Sequence, residues 1–267
     1  MELGKLYRYP VKSLGGQSCV TLQPEGRGFV DDRRWMFTDA QGRFISQRRH
    51  TQLARFSAAV EGDLLRFRSL PDGREVGAVA GARQGQKATV TVWDDTFQAT
   101  EIISDALYEL TRTLGIPDAR LFYMAPEDDR PVDPGYARRG ETVSFADGFP
   151  YLIVNSASTR DLARQMGVLE LDVRRFRPNI VINGEVPWAE DEWRDLTIGT
   201  HEFYLPKACA RCVMVNNEPG TGERDLRVLA TLARQRKVGN KVLFGMNACW
   251  VRGSGEFGIG DRVRVEG

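Results

Sequence analysis

The segment Lys207-Ala-Cys-Ala-Arg-Cys212 directly follows the β-type run His201-Glu-Phe-Tyr-Leu205 and places two cysteines three positions apart. Similar β-type runs recur along the whole chain. They are separated by short turns rich in glycine, asparagine and aspartate, such as Asp39-Ala-Gln-Gly42 and Gly258-Ile-Gly-Asp261. The sequence therefore predicts a mainly β fold with a few helices (α+β), closer to a barrel than to a doubly wound sheet.

Three segments instead indicate helices. Ser104 can cap the first segment, and Ser158 begins a second segment that ends near Gly167. The third segment runs from about Arg224 to Arg236, with Leu226 in its apolar stripe. Helices are thus expected to be few and scattered among the strands.

Composition indicates a soluble globular protein. Of the 267 residues, 42% are apolar and 27% are charged, and the formal net charge is only +1. No run approaches the roughly 20 apolar residues that a membrane helix needs. We therefore expect a cytoplasmic protein that binds neither nucleic acid nor membranes, so an anion site would depend on local clustering of basic residues.

The stretch from Ala125 to Glu141 is rich in proline, glycine and charge and has almost no apolar periodicity. It predicts a division into an N-terminal region (1–124), a linker (125–141) and a C-terminal domain (142–267).

Four cysteines are too few for a disulfide scaffold in a chain of this length. A structural zinc site would need a second ligand pair, which Cys19, Cys249 and the two histidines do not form. A thioredoxin-type dithiol normally opens a helix, whereas Val213-Met-Val215 is expected to continue as an extended segment. A single thiolate ligand to a soft metal needs only one cysteine beside positive charge, which Lys207 and Arg211 supply. Two buried, chemically inert cysteines remain the competing interpretation.

Basic residues recur in several short motifs. Each could be a solvated loop residue, but several that converge would make a site for a small phosphorylated anion. The motifs are Lys12-Ser13, Arg33-Arg34, Arg48-Arg49 and Arg174-Arg-Phe-Arg-Pro-Asn179.

Four ordered motifs resemble those of MOSC proteins that carry an N-terminal MOSC β-barrel region, a group that includes the mitochondrial amidoxime-reducing component and its bacterial relatives. The motifs are Leu6-Tyr-Arg-Tyr-Pro-Val-Lys-Ser13, Asp32-Arg-Arg-Trp-Met36, Phe176-Arg-Pro-Asn-Ile-Val181 and Cys209-Ala-Arg-Cys212. The resemblance spans nearly the whole chain. It implies a MOSC β-barrel packed with an N-terminal β-barrel-like region, and a molybdopterin-type molybdenum cofactor bound between them.

The resemblance also implies roles for individual residues. Cys212 matches the metal-ligating and catalytic cysteine, and Cys209 is a bystander. The residues that match cofactor contacts are Lys12, Ser13, Arg33, Ser46, Arg48, Asn155, Ser156, Ser158, Arg177 and Asn179.

The implied activity is an oxidoreductase that reduces small N-hydroxylated compounds, such as amidoximes, hydroxylamines and hydroxylaminopurines. Electrons would come from a separate ferredoxin-, flavin- or cytochrome-type donor protein. After Cys212 the chain departs from the family's usual run, which leaves the substrate open. Two alternatives remain: a sulfur carrier resembling the C-terminal region of molybdenum-cofactor sulfurases, with a persulfide on Cys212, and a cofactor carrier without turnover.

Overall fold

The structure is a computed structural model that describes residues 1–266. These residues form three α-helices, α1 (Ala106–Thr113), α2 (Ser156–Met166) and α3 (Arg227–Arg236), and twenty strands. In chain order the strands are β1 Glu2–Arg8, β2 Gln17–Cys19, β3 Thr21–Leu22, β4 Pro24–Glu25, β5 Gly28–Phe29, β6 Trp35–Thr38, β7 Phe56–Glu61, β8 Leu64–Ser69, β9 Glu75–Ala80, β10 Gly85–Val92, β11 Asp95–Ile102, β12 Arg120–Tyr123, β13 Tyr151–Asn155, β14 Ile180–Asn183, β15 Asp195–Ile198, β16 His201–Arg211, β17 Lys237–Val238, β18 Lys241–Arg252, β19 Phe257–Gly258 and β20 Val263–Glu266. The mainly β prediction with few helices is confirmed.

A nine-stranded sheet organises the second half of the chain. Its order is β2-β1-β14-β13-β18-β16-β15-β20, with β17 paired to β18. Most neighbours are antiparallel, but β13 and β14 run parallel, joined by the crossover that contains α2. Because β13 is buried along its whole length, it can be apolar on both faces, as strands in parallel pairs usually are.

The two ends of this sheet meet. Leu3 in β1 donates its N–H to the carbonyl of Asp261 and accepts a hydrogen bond from the N–H of Gly260, both just before β20. Only an isolated bridge, between Glu2 and Arg262, joins the two strands. The sheet is therefore curled like a barrel, but no continuous ladder closes it among residues 1–266.

The first half of the chain builds smaller sheets around its own core. One has the order β10-β11-β12-β6, and the other has the order β7-β8-β9. Trp35, Phe37 and Phe67 are fully buried between them, and the indole N–H of Trp35 donates to the carbonyl of Ala82 (2.6 Å). A buried indole keeps its full hydrophobic contribution only when its N–H is satisfied in this way.

The predicted division into 1–124, 125–141 and 142–267 stays a prediction. Strand pairing does not follow it, because β1 pairs with β14 and so joins the first residues to the large sheet. Nor is 125–141 simply a spacer: Val132 and Arg130 within it are both buried.

The helices lie close to their predicted positions. Helix α2 ends at Met166 and is capped by Gly167, whose φ of 70° is the left-handed conformation that glycine favours at a helix end. The predicted stripe of α3, Leu226, Leu229 and Ala233, holds only in part: Leu229 packs against the core and Ala233 is half-buried, but Leu226 is exposed, and Val228 and Leu232 are the fully buried residues. No helix within residues 1–266 has the length and apolar character needed to span a bilayer.

The start of α2 differs from the prediction. Asn155 is its N-cap: the buried side chain accepts a hydrogen bond from the N–H of Ala157 (3.0 Å) and donates to the carbonyl of Val186 (2.9 Å). Ser158 lies inside the helix, where its hydroxyl donates to Glu190 (2.6 Å) instead of capping.

We expect Asn155→Ala to destabilise the protein by about 2 kcal/mol, because it removes a helix cap and the side-chain hydrogen bond to the Val186 carbonyl. Ser156→Ala is the matched control, since the Ser156 hydroxyl contacts only the exposed Arg160 side chain. Chemical denaturation measures the free energy of unfolding of both variants. Equal stability of the two variants would contradict the capping role.

Candidate cofactor site

A cavity of about 160 Å³ lies between turns of the first half of the chain and the nine-stranded sheet. Its lining combines residues from eight separate segments of the sequence. Eight of the predicted site residues line it, namely Lys12, Ser13, Arg33, Ser46, Arg48, Arg177, Asn179 and Cys212. Residues far apart in the sequence therefore converge here.

Lys12 lies on the turn after β1. Its backbone N–H donates to the carbonyl of Trp35 (2.8 Å), and its ammonium donates to the carbonyl of Phe145 (2.7 Å) and to the carboxylate of Asp147 (2.6 Å). Burial lowers the pKa of Lys12 to about 8, although the Asp147 carboxylate opposes this effect. Lys12 is thus a buried cation whose protonation changes near neutral pH.

Arg33 connects the two halves of the lining. Its guanidinium donates to Asp32 (2.5 Å), to the Asn179 side chain (2.9 Å) and to the backbone carbonyl of Arg177 (3.0 Å). Both the Arg33 and the Arg177 guanidinium groups lie over the ring of Tyr9, with 4.3 and 4.4 Å between the guanidinium carbon and the ring centroid. The ring's negative face stabilises two neighbouring cations that would otherwise repel each other.

Arg177 has no carboxylate partner among residues 1–266; its side chain donates instead to the carbonyl of Leu14 (2.5 Å). Desolvation and the neighbouring Arg33 cation lower the pKa of Arg177. An anion bound here would relieve both effects.

Cys212 directly follows β16 at the edge of the cavity. The next residues form a 3₁₀ turn (Val213–Asn216), so the prediction of an extended segment was wrong. The turn forms because buried polar side chains are satisfied there: the Asn216 side chain accepts from the N–H of Leu229 (2.9 Å) at the start of α3. Cys212 is half-buried, and the guanidinium of Arg48 donates to its sulfur through Nε (3.4 Å) and Nη2 (3.3 Å).

Cys209 also lines the cavity but differs from Cys212. It packs against the apolar cluster that contains Phe176 and Phe244, and burial raises the pKa of its thiol. It therefore resembles a structural cysteine, whereas Cys212 has hydrogen-bond donors aimed at its sulfur.

Ser46 begins the turn that carries Arg48 and accepts the backbone N–H groups of Arg49 (3.1 Å) and His50 (3.0 Å) through its carbonyl. This turn presents Arg48 to the cavity while Arg49 is exposed.

The structure does not bring Asn155, Ser156 or Ser158 into the cavity. These predicted cofactor contacts lie at the start of α2, and their side chains serve the helix cap, Arg160 and Glu190. The reason is that a helix N-terminus needs its own acceptors, and Asn155 supplies one. No feature of the cavity supports a cofactor contact at these positions.

Sequence reasoning missed Trp93, Asp147 and Arg211 as lining residues. Trp93 lies on the tight turn between β10 and β11, and Asp147 lies in the irregular segment before β13; both look like ordinary connections. Arg211 was noted only as positive charge beside Cys212; its Nη2 is buried without a partner among the described residues.

The lining is strongly cationic. Its charged residues are six cations and one carboxylate, namely Lys12, Arg33, Arg48, Arg175, Arg177 and Arg211 against Asp147. Four lining residues other than glycine also have left-handed φ angles: Ser13 (69°), Arg33 (49°), Trp93 (57°) and Arg177 (55°). Such conformations are costly for residues with a Cβ and concentrate at functional sites. The arrangement suits an anionic ligand held beside a thiol.

Within residues 1–266, no three histidine, cysteine or acidic side chains cluster as ligands for a bare metal ion. The half-buried thiol of Cys212 can supply a single ligand.

Two protein-family models match this chain, one in each half. The model of the MOSC N-terminal beta barrel domain matches residues 1–117, and that of the MOSC domain matches residues 140–264. A molybdenum cofactor sulfurase of Arabidopsis thaliana is 26% identical over 97% of this chain and 34% of its own length. One from Drosophila mojavensis is 29% identical over 92% of this chain and 31% of its own length.

The mitochondrial amidoxime-reducing component 1 of Mus musculus is 26% identical over 84% of this chain and 67% of its own length. The chain spans about a third of the length of the sulfurases it matches. Since the two family models cover nearly all of the sequence between them, the chain belongs to the MOSC-domain proteins with an N-terminal MOSC beta barrel domain.

Proposed function

We propose that the protein binds a molybdenum cofactor in this cavity, with Cys212 as a ligand to the metal, and reduces N-hydroxylated compounds with electrons from a separate donor protein. The observation that carries the proposal is the half-buried thiol of Cys212, which accepts hydrogen bonds from Arg48 and lines a cavity with six cations and one carboxylate. A molybdopterin-type cofactor presents a phosphate, a polar ring system and an oxidised metal, which is the complement of that lining.

The anionic end of the cofactor would lie against Lys12, Arg33 and Arg177. Their N–H groups are fixed by hydrogen bonds to the backbone, and charge-assisted hydrogen bonds to phosphate are among the strongest available. Ser13 and Asn179 also line the cavity. The unpartnered Nη2 of Arg211 is a further donor without an acceptor in the described chain. The lining therefore fits the group.

When bound, the cofactor supplies a redox-active metal suited to the two-electron reduction of an N–O bond. The protein holds the metal through the sulfur of Cys212, and Arg48 donates two hydrogen bonds to that sulfur. The cavity walls orient the substrate and limit the access of water.

The sulfurases among the relatives favour a second function, in which Cys212 carries a transferable sulfur as a persulfide. The donors around Cys212 would also stabilise that anionic group. Analysis of molybdenum and of sulfane sulfur, in protein expressed in a host that makes the cofactor, separates the two functions.

The first prediction separates the two thiols. We expect Cys212→Ser to abolish reductase activity, a larger loss than the roughly 10–100-fold typical of outer-shell changes, because a hydroxyl is a poor ligand for a soft metal. Cys209→Ser should keep most of the activity. Activity per bound molybdenum is measured for both, and equal, full activity would exclude Cys212 as the ligand.

A second prediction concerns pH. Because protonated Lys12 binds an anion and its pKa is about 8, sulfate affinity of the cofactor-free protein should fall about tenfold between pH 7 and pH 9. Sulfate keeps its charge over this range, so a change in affinity reflects the protonation of the protein and not that of the ligand. Isothermal titration measures the affinity.

Lys12→Arg is the control, since its charge persists and the pH dependence should disappear. Unfolding does not explain a loss of affinity: the lowered pKa means that the unfolded chain binds more protons between pH 8 and 10.5, so the Lys12 contribution to stability rises in this range. An unchanged pH profile in Lys12→Arg would refute the role of Lys12.

A third prediction concerns electron supply. The chain has no Gly-x-Gly-x-x-Gly motif that opens a helix after a strand, so we expect no turnover with NADH alone. Reduced viologen should support the reduction of benzamidoxime or hydroxylaminopurine. Chromatography measures the product that forms. Turnover with NADH and no reductase would contradict the external donor, and no turnover with any donor would favour sulfur transfer.

A further inference from the structure

Arg48 makes an unusual contact with Cys212. Two of its N–H groups, at Nε and Nη2, point at one sulfur at 3.4 and 3.3 Å. A long, flexible side chain adopts such a two-point geometry reliably only when other contacts fix it, because ordering it costs rotamer entropy. What holds Arg48 is therefore part of the site.

The backbone of Arg48 is held by the segment that follows Cys212. The side chain of Asn217 donates to the carbonyl of Gln47 (3.0 Å), and that of Arg224 donates to the carbonyl of Arg48 (2.6 Å). These bonds fix where the side chain starts but not where the guanidinium ends.

Trp93 holds the guanidinium. The Arg48 guanidinium carbon lies 3.9 Å from the centroid of the Trp93 ring, which is close stacking. The ring is itself fixed, since its N–H donates to Asp147 (3.2 Å) and Phe44 packs edge-on against it (centroids 4.9 Å apart). Arg48 thus has an aromatic support on one side and the sulfur at its N–H edge.

The backbone at Trp93 makes this placement costly. Trp93 is the first of the two residues that connect β10 and β11, and its φ of 57° is a conformation for which glycine is favoured in such turns. It is also 40% exposed, so core burial does not account for it. Contact with Arg48 gives a reason for tryptophan at this position.

We propose that Trp93 is a positioning residue: it holds Arg48 so that both N–H groups stay bonded to the sulfur of Cys212. The inference rests on the proposed function only for the role of Cys212 as a metal ligand. Hydrogen bonds to a ligating sulfur withdraw electron density from it and raise the reduction potential of the metal. Trp93 therefore tunes the metal without touching it.

The holoprotein tests this proposal through the reduction potential and the electron paramagnetic resonance spectrum of the molybdenum centre. Trp93→Gly removes the ring and relieves the backbone strain, so it should fold, as its melting temperature will report. We expect it to lower the potential and alter the spectrum as Arg48→Met does, with no further change in the double variant. Trp93→Phe keeps the ring face and should stay near the parent protein.

Arg49→Met is the matched control, because Arg49 is the exposed neighbour of Arg48 and does not line the cavity. It should leave both the potential and the spectrum unchanged. A parent-like potential and spectrum in Trp93→Gly, together with a shift in Arg48→Met, would overturn the proposal.

Metal-free protein labelled with 5-fluorotryptophan tests the contact independently of the cofactor. The fluorine resonance that disappears in Trp93→Phe belongs to Trp93; it should shift in Arg48→Met and stay in place in Arg49→Met. No shift in Arg48→Met would refute the stacking. If the parent binds no molybdenum but this shift occurs, the proposed function fails while the contact between Trp93 and Arg48 stands.

Discussion

The hydrogen bonds of Arg33 hold the cavity together. This side chain starts on a turn of the first half of the chain and ends on Asn179 and on the backbone of Arg177 in the second half. Asn179 is in turn fixed between neighbouring strands, since its side chain donates to the carbonyl of Tyr7 (3.3 Å). Arg33 therefore links the two halves at the centre of the lining, beside the Lys12 bonds to Phe145 and Asp147.

Concentrating cations in one cavity opposes folding, because each loses water and repels its neighbours. The chain as a whole has a net charge of only +1, so the six lining cations are a local accumulation and not a general property of the surface. The fold offsets their repulsion with backbone carbonyls, the Tyr9 ring and single carboxylates such as Asp147. These partners hold the cations in place but leave them incompletely neutralised, as an anion-binding site requires.

Local sequence patterns predicted the secondary structure that local interactions determine. The β-type runs and the three helices follow from residue preference and periodicity, so their existence was predictable from sequence. Strand β13 lacks the alternation that marks a half-buried strand, because it is buried along its whole length. Asn155 looked like a cofactor contact, but its side chain is used by the helix that it begins. Trp93 and Asp147 could not be found, since nothing in a two-residue turn or in an irregular connection reveals which distant side chain packs over it.

The left-handed backbone at Ser13, Arg33 and Arg177 has a consequence for how this site can change. Glycine would adopt this backbone conformation at a lower energetic cost at each position. Each such substitution would relieve backbone strain but delete a side chain of the cavity lining. At Arg33 and Arg177 the lost hydrogen bonds would oppose that relief, whereas the Ser13 hydroxyl makes no hydrogen bond within residues 1–266, so selection for thermal robustness alone would favour glycine there. Persistence of the Ser13 side chain in a descendant of this protein would report continued demand for the ligand more directly than the retention of any core residue.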